Sequence, residues 1–212
     1  MLVGDNKKIN IYIKKSFTFV FFISFPMMFG IASISKEFVP IFFGEGYDKA
    51  ALLIIIFCPM ILLMGVQNVI GTQYMLPTKR QKEYTISVVV GVIINFVSNL
   101  ILINLLQSIG ASIATVLSQL VVDIVQIVYV RNDIKWKPLI RVAVRYFVAS
   151  VVMFLGCLLV KMLIKNPSLS VVLQMITGIS IYLGMLILFK DKFLNNILEK
   201  VKERFFKLKF QN

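Results

Sequence analysis

Six stretches of apolar residues divide this chain: about Ser16–Ile34, Ala50–Leu76, Ile86–Leu106, Gly110–Val130, Val142–Leu163 and Val171–Phe189. A helix that crosses a bilayer needs about 20 predominantly apolar residues to cover roughly 30 Å of hydrocarbon. Each stretch meets or approaches that length. Charge enters them only at Asp123 and Arg145, and at Lys161 near an end. The pattern predicts an all-α integral membrane protein of six spans.

The polar gaps between the stretches alternate in character. Of the 23 Lys and Arg residues, all but Lys36, Lys49, Lys161 and Lys165 fall in the first, third, fifth and seventh gaps, counting Arg145 at the start of the fifth stretch with the gap before it. Loops rich in Lys and Arg stay in the cytoplasm. The bias therefore predicts both termini on the cytoplasmic side. Three regions follow: a basic cytoplasmic lead over residues 1–15, a six-helix bundle over 16–189, and a tail over 190–212. In the tail, Leu194, Ile197, Leu198, Val201, Phe205 and Leu208 recur at intervals of three to four residues among Lys and Glu. That spacing predicts a basic amphipathic helix lying on the membrane surface.

Composition changes this picture little. The chain is 58% hydrophobic with mean hydropathy +0.87, outside the range of soluble domains. A net charge of +13 alone would fit nucleic acid. Its confinement to alternate gaps fits orientation and contact with anionic headgroups instead, at ~1 kcal/mol per residue. The first apolar stretch follows a basic segment, as a signal peptide would. It is too long for a typical signal core and lacks a small-residue cleavage site, so it reads as a retained helix.

Catalytic constellations are missing. With no histidine, Ser-His-Asp, Cys-His and His-metal sites are excluded. No P-loop or dinucleotide fingerprint occurs. Cys58 and Cys157 lie within spans and read as buried, inert thiols. Neither an enzyme, a cofactor nor a metal is expected. Transport-like chemistry must come from polar groups at membrane depth.

Span four carries Gln119, Asp123 and Gln126, which share one helix face. A carboxylate at membrane depth costs ~2.5–3.5 kcal/mol or more, so Asp123 should face protein or a wet cavity. There it would load a proton, bind a cation, or pair with a polar neighbour. Span three carries Asn95, Ser98 and Asn99; the tight connection around Gln107–Gly110 brings Asn95 near the depth of Gln119 and Asp123. This pair of stripes reads as an interhelical clasp or as the wall of a hydrophilic path. Gln67, Asn68, Gly71, Thr72 and Gln73 weaken the end of span two and suggest a cavity lining. Arg145 either snorkels to headgroups or meets a ligand phosphate. Spans five and six look plainer, with much surface open to lipid. Pro26 and Pro59 free backbone carbonyls within spans one and two, making packed kinks or hinges. Small residues at Gly110 and Ala114 permit close helix approach. The loop Lys36–Tyr47 suits a short interfacial or re-entrant turn, with Phe42, Phe43 and Tyr47 at headgroup level and Glu37, Glu45 and Asp48 on the outer face.

Several runs resemble a known family. Gln73-Tyr74-Met75-Leu76-Pro77-Thr78-Lys79-Arg80 is similar to the Q-x-L-x-P-T-x-[KR] turn of bacterial polysaccharide flippases. Phe43-Gly44-Glu45-Gly46-Tyr47 before it, and Asn99-Leu100-Ile101-Leu102-Ile103 and Gly110-Ala111-Ser112-Ile113-Ala114-Thr115 after it, stand in the family's order. These matches span about residues 43–130. They resemble the Wzx-type O-antigen and capsule flippases of the multidrug/oligosaccharidyl-lipid/polysaccharide exporter superfamily. The resemblance implies one six-helix bundle, the C-terminal half, of a MATE-like two-bundle transporter in the bacterial cytoplasmic membrane. It implies a polyprenyl-diphosphate-linked glycan substrate, alternating access, contact with membrane lipids and a missing N-terminal six-helix half. Two departures stand out. Gln119 occupies a position where the family commonly has an acid, and Leu105-Leu106-Gln107 stand where it often has a proline. The first departure bears on any proton role that the resemblance would give Asp123; on this reading Asp123 with Gln119 and Asn95 is the coupling or cavity site, and Asn68 and Gln73 are candidates for head-group contact near the cytoplasmic entrance. Two alternatives remain: a drug/cation antiporter of the same superfamily, and a truncated, non-transporting membrane fragment or assembly partner.

Overall fold

The computed structural model describes residues 6–44, 46–197 and 199. Within them the chain is helical and runs α1 (Asn6–Phe43), α2 (Asp48–Gln67), α3 (Gln81–Leu106), α4 (Ser108–Val130), α5 (Trp136–Leu163) and α6 (Pro167–Leu188). α2 continues without a break into a π-helical stretch, Asn68–Met75. All six rods are long and apolar enough to cross a membrane. Their outward faces, such as Val92, Phe96 and Leu100 on α3, expose large apolar side chains. Such a surface would aggregate in water; against acyl chains it is the normal finish of a membrane rod. The protein is a multi-pass membrane protein.

The helices fall into two groups. α3 packs on α4 and α4 on α2; α6 packs on α5 and on α1. α1 joins the groups through contacts with both α2 and α5. Its contribution is a stripe at helical spacing: Ile13, Phe17, Phe21 and Phe25 are buried. The Phe17, Phe21 and Phe25 rings lie 5.4 and 5.6 Å apart in sequence. Around them gather Ile70 and Met75 of the π stretch, Val130 of α4, and Tyr146 and Met153 of α5. Such ring pairs add about 0.5–1.5 kcal/mol each beyond area burial.

The ion pairs among the described residues sort to the two ends of the bundle. At one end Lys161 of α5 pairs with Glu37 of α1 at 2.6 Å. At the other, basic end, Arg80 pairs with Asp133 at 2.8 Å and Arg145 with Asp191 at 3.0 Å. The α2–α3 and α4–α5 turns thus meet at the end where α6 finishes. Asn10 joins them, accepting from the Lys135 backbone N–H at 3.1 Å.

Three regions differ from the sequence reading. α1 begins at Asn6, so residues 6–15 of the expected lead are helical, and Ile13 belongs to the core. The expected turn at 36–47 is also mostly helix. α1 passes through Pro40 to Phe43, and Gly44 follows with φ 85°. Phe38, Phe42, Phe43 and Tyr47 form an exposed ladder there, with centroids 5.1–5.8 Å apart. The Lys161–Glu37 pair anchors this extension to α5, which a loop prediction from Gly and Pro content does not foresee. Spans five and six are the third difference: they bury Ser150, Ser170 and Gln174. Of the expected tail helix, residues 192–197 are helical, with Leu194 buried. Leu198, Val201, Phe205 and Leu208 lie outside the described residues, as do Glu45 and residues 1–5.

Close approach of α3 and α4 has a local cause. Gln107 turns the chain with φ 54°. A Cβ on Gly110 would collide with the carbonyl of Leu102, and one on Gly91 with Val122. The small residues let the two backbones touch, which sets the register of every polar group the two helices share.

Candidate functional site

The polar residues of α2, α3 and α4 meet in separate clusters. The first runs from α2 to α4. Gln119 Nε2 donates to Gln67 Oε1 at 3.0 Å and to Asp123 Oδ1 at 3.1 Å. Asp123 is 2% exposed, and its Oδ2 is buried without a hydrogen-bond partner. The carboxyl therefore faces protein, as the cost of ionised groups in hydrocarbon requires. Its neighbours are amide groups; the cluster contains no cation to neutralise it. A carboxyl so placed, with one oxygen held and the other open, can carry a proton or take a monovalent cation.

Gln126 shares the helix but not the cluster. It is fully buried and turns toward α3, where its Nε2 donates to Ser87 Oγ at 3.1 Å. Gln119, Asp123 and Gln126 share a narrow arc of about 60°, but Gln126 lies about 10 Å along the axis from Gln119 and meets a different neighbour. Asn95 joins neither group. Its Nδ2 donates to Ser118 Oγ at 3.2 Å, and Asn99 Nδ2 donates to Asn95 Oδ1 at 2.9 Å. Asn95 thus bonds across to α4 through Ser118 rather than through Gln119 or Asp123. Ser87 and Ser118, the partners in these bonds, escape a sequence reading because serine in a membrane helix more often bonds its own backbone, as both also do here.

The π stretch lies beside these clusters. Leu76 N–H donates to Gly71 O, five residues back, at 3.1 Å. π-helical turns are rare and concentrate at functional sites. Gly71 is pressed by Tyr84 and Gln126: a Cβ would meet Tyr84 Cε2 at 2.6 Å and Gln126 Nε2 at 3.2 Å. Asn68 and Gln73 are on the open side of the widened helix, exposed, with Gln73 Nε2 donating to Asn68 Oδ1 at 2.9 Å. The weak hydrophobicity of residues 67–73 was the signal in sequence; the change of helix type was not readable from it.

Arg145 stands apart, on α5 at the basic end. Its guanidinium pairs with Asp191, whose Oδ1 also accepts from Tyr146 Oη at 3.1 Å and from the backbone N–H groups of Phe193 and Leu194. The arginine is occupied by a structural carboxylate rather than standing open. Among the described residues, no group of three His, Cys, Asp or Glu side chains could hold a metal.

Comparison with known proteins agrees with this architecture. A sequence model of the family described as "Polysaccharide biosynthesis protein" matches residues 1–52. A protein of Escherichia coli (strain K12) named "Putative O-antigen transporter" is 29% identical over 132 residues, 62% of this chain and 32% of that protein. Among solved structures, lipid II flippase MurJ in an inward closed conformation superposes with a TM-score of 0.77 at 18% identity, over 89% of this chain and 41% of that one. The chain thus spans about a third of the first relative and about two fifths of the second. Its resemblance to Wzx-type polysaccharide flippases rests on sequence and fold together. The proteins it resembles are transporters, not enzymes.

Proposed function

We propose that this chain is one six-helix half, the C-terminal one, of a flippase for lipid-linked glycans. It would carry polyprenyl-diphosphate-linked oligosaccharide repeat units across the bacterial cytoplasmic membrane. The observation that carries the reading is the Gln67–Gln119–Asp123 chain between α2 and α4, half-buried at the glutamines and buried at the carboxyl, beside a π-helical stretch on a fold shared with a flippase. Packing of apolar rods does not require an unpartnered carboxylate oxygen at membrane depth; a transporter that binds and releases a cation does. Likeness in sequence to an O-antigen transporter supports a glycan rather than a drug as cargo. Half-bundles in secondary transporters rock against each other around a midplane cavity. The exposed Asn68–Gln73 edge supports a cavity wall on α2, completed by an N-terminal half. In this reading the basic end is cytoplasmic.

The test is complementation. The chain is co-expressed with the N-terminal half of an O-antigen flippase in a strain lacking its own, and surface polysaccharide is measured. Restored export requires both halves. In the restored strain, Asp123→Asn removes the dependence of export on external pH or sodium. Export that the chain supports alone overturns the half-transporter reading. Export indifferent to Asp123→Asn removes Asp123 from coupling.

A further inference from the structure

A cavity of about 500 Å³ opens at the basic end, where the first turns of α1 face the start of α5. It falls in the range of about 300–1,000 Å³ typical of ligand pockets. Its floor is apolar: Ile13, Ile134 and Leu139, all buried. Its rim carries two exposed cations, Lys14 of α1 and Lys135 of the α4–α5 turn. Asn10 fastens the two walls. Its Oδ1 accepts from the Lys135 backbone N–H at 3.1 Å, and its Nδ2 donates to the Asp133 carbonyl at 3.4 Å. Bonds between α1 and the turn therefore hold the walls apart at one spacing.

The charge on this rim is unanswered. Asp133, the acid in the same turn, already pairs with Arg80 at 2.8 Å. Among the described residues neither Lys14 nor Lys135 pairs with a carboxylate. Lys14 stands two residues before the first apolar stretch, and Lys135 lies between the fourth and the fifth. Both are therefore at the boundary of the hydrocarbon, where phospholipid phosphates lie. The occupant that fits brings negative charge to the rim and an apolar part to the floor. A soluble anion would leave the floor of Ile13 and Leu139 uncovered. Residues 200–212 of the chain itself carry five basic residues and one acid, so their charge repels the rim. A zwitterionic phospholipid brings an ammonium of its own against the two lysines.

We propose that this pocket binds one anionic phospholipid of the phosphatidylglycerol kind. The two free oxygens of its phosphodiester accept from the ammonium groups of Lys14 and Lys135. The upper part of an acyl chain covers the apolar floor. Scattered basic residues attract anionic headgroups without holding any one of them. Here two lysines share a cavity with an apolar floor, so binding is saturable and selects the lipid by its headgroup. The inference rests on the basic end lying at a bilayer surface, in either leaflet, and does not depend on the transport reading.

The chain's one tryptophan reports on the site. Trp136 adjoins Lys135, and its ring lies 6.3 Å from that of Phe17. The test places the full chain in phosphatidylcholine vesicles. These contain a minor fraction of phosphatidylglycerol, or of phosphatidylethanolamine, brominated near the top of its acyl chains; bromine quenches tryptophan at short range. Quenching by the phosphatidylglycerol should saturate at fractions where the phosphatidylethanolamine quenches little. In the double variant Lys14→Gln, Lys135→Gln the fraction that gives half-quenching should rise about fivefold or more, a loss of roughly 1 kcal/mol. Lys15→Gln with Lys137→Gln removes the same charge from exposed neighbours that do not line the cavity, and should raise it less than about twofold. Equal quenching by the two lipids in the unaltered chain overturns the proposal. An equal rise in the two double variants overturns it too, since diffuse attraction then accounts for the binding. So does reversal of the quenching by inorganic phosphate at constant ionic strength, which would make the pocket a site for free anions.

Discussion

The Tyr182 hydroxyl of α6 donates to the backbone carbonyl of Phe22 in α1 at 2.7 Å. Phe22 stands four residues before Pro26, whose ring nitrogen has no hydrogen to return to it. The carbonyl that proline orphans is thus satisfied by a side chain from another helix, in a setting where Tyr182 is only 5% exposed. The Phe22 ring lies 5.9 Å from that of Tyr182 and 5.9 Å from that of Tyr146. Proline at this position therefore joins α1 to α6. The geometry favours a packed kink over a free hinge.

Tyr182→Phe should destabilise the bundle by about 1–2 kcal/mol, the cost of an unmade bond in a membrane core. Pro26→Ala restores the donor within α1. In the Pro26→Ala background, Tyr182→Phe should cost less than half as much. Unfolding in mixed micelles, followed by circular dichroism, measures the double-mutant cycle. Equal costs in both backgrounds would detach Tyr182 from the proline.

Hydropathy alone places the six rods, because a bilayer imposes one length and one composition on every helix that crosses it. It fails where a helix outlasts the bilayer. Residues 6–15 and 36–43 read as polar or turn-like, yet tertiary contacts through Asn10 and Glu37 keep them helical. The site was legible as a list of residues and not as an arrangement. Asp123 and Gln119 stay together because they lie four residues apart. Gln126 parts from them because contacts to α2 and to α3 leave α4 at different angles. Gln174 reads as one amide in a greasy span. Ser170, one turn before it, is the available signal, since polar groups at that spacing can bond each other, as these do.

Gly110→Ala should open the α3–α4 hairpin. The new methyl would strike the Leu102 carbonyl, a backbone group with no rotamer to yield. The expected loss is about 1–3 kcal/mol, as for overpacking elsewhere. Ala114→Gly, a shrinking change at a fully buried position one turn on, should cost less than that. A thermal shift assay in detergent ranks the two; equal shifts would show that backbone contact at Gly110 does not hold the hairpin.

Gln67 and Gln119 should be coupled across α2 and α4. Each single change to leucine leaves one amide without its partner. The double change removes both, so the two costs should fall short of additive by about 0.6–1.7 kcal/mol. Asn68→Ala and Gln73→Ala, on the exposed edge, should each shift stability by less than about 0.5 kcal/mol. Strict additivity for Gln67 and Gln119 would mean that the link to Asp123 does not reach α2.

Arg145 and Asp191 separate structure from ligand binding at the basic end. Asp191 has 5% of its side chain exposed and four described donors: the Arg145 guanidinium, the Tyr146 hydroxyl and two backbone N–H groups. Arg145 has 36% of its side chain exposed, so solvent screens part of its charge. Arg145→Met should therefore cost only about 1–2 kcal/mol, less than the loss of a fully buried partner. Asp191→Asn should cost as much or more, because a neutral amide cannot accept from every donor that the carboxylate gathers. If Arg145 serves the fold alone, Arg145→Lys should retain surface polysaccharide in the restored two-half strain, since a lysine still balances Asp191. A phosphate clamp would need the planar fork and lose export on that change. Measuring unfolding and export on the same three variants decides the matter. Export lost with stability intact assigns Arg145 to the cargo, and parallel losses assign it to Asp191.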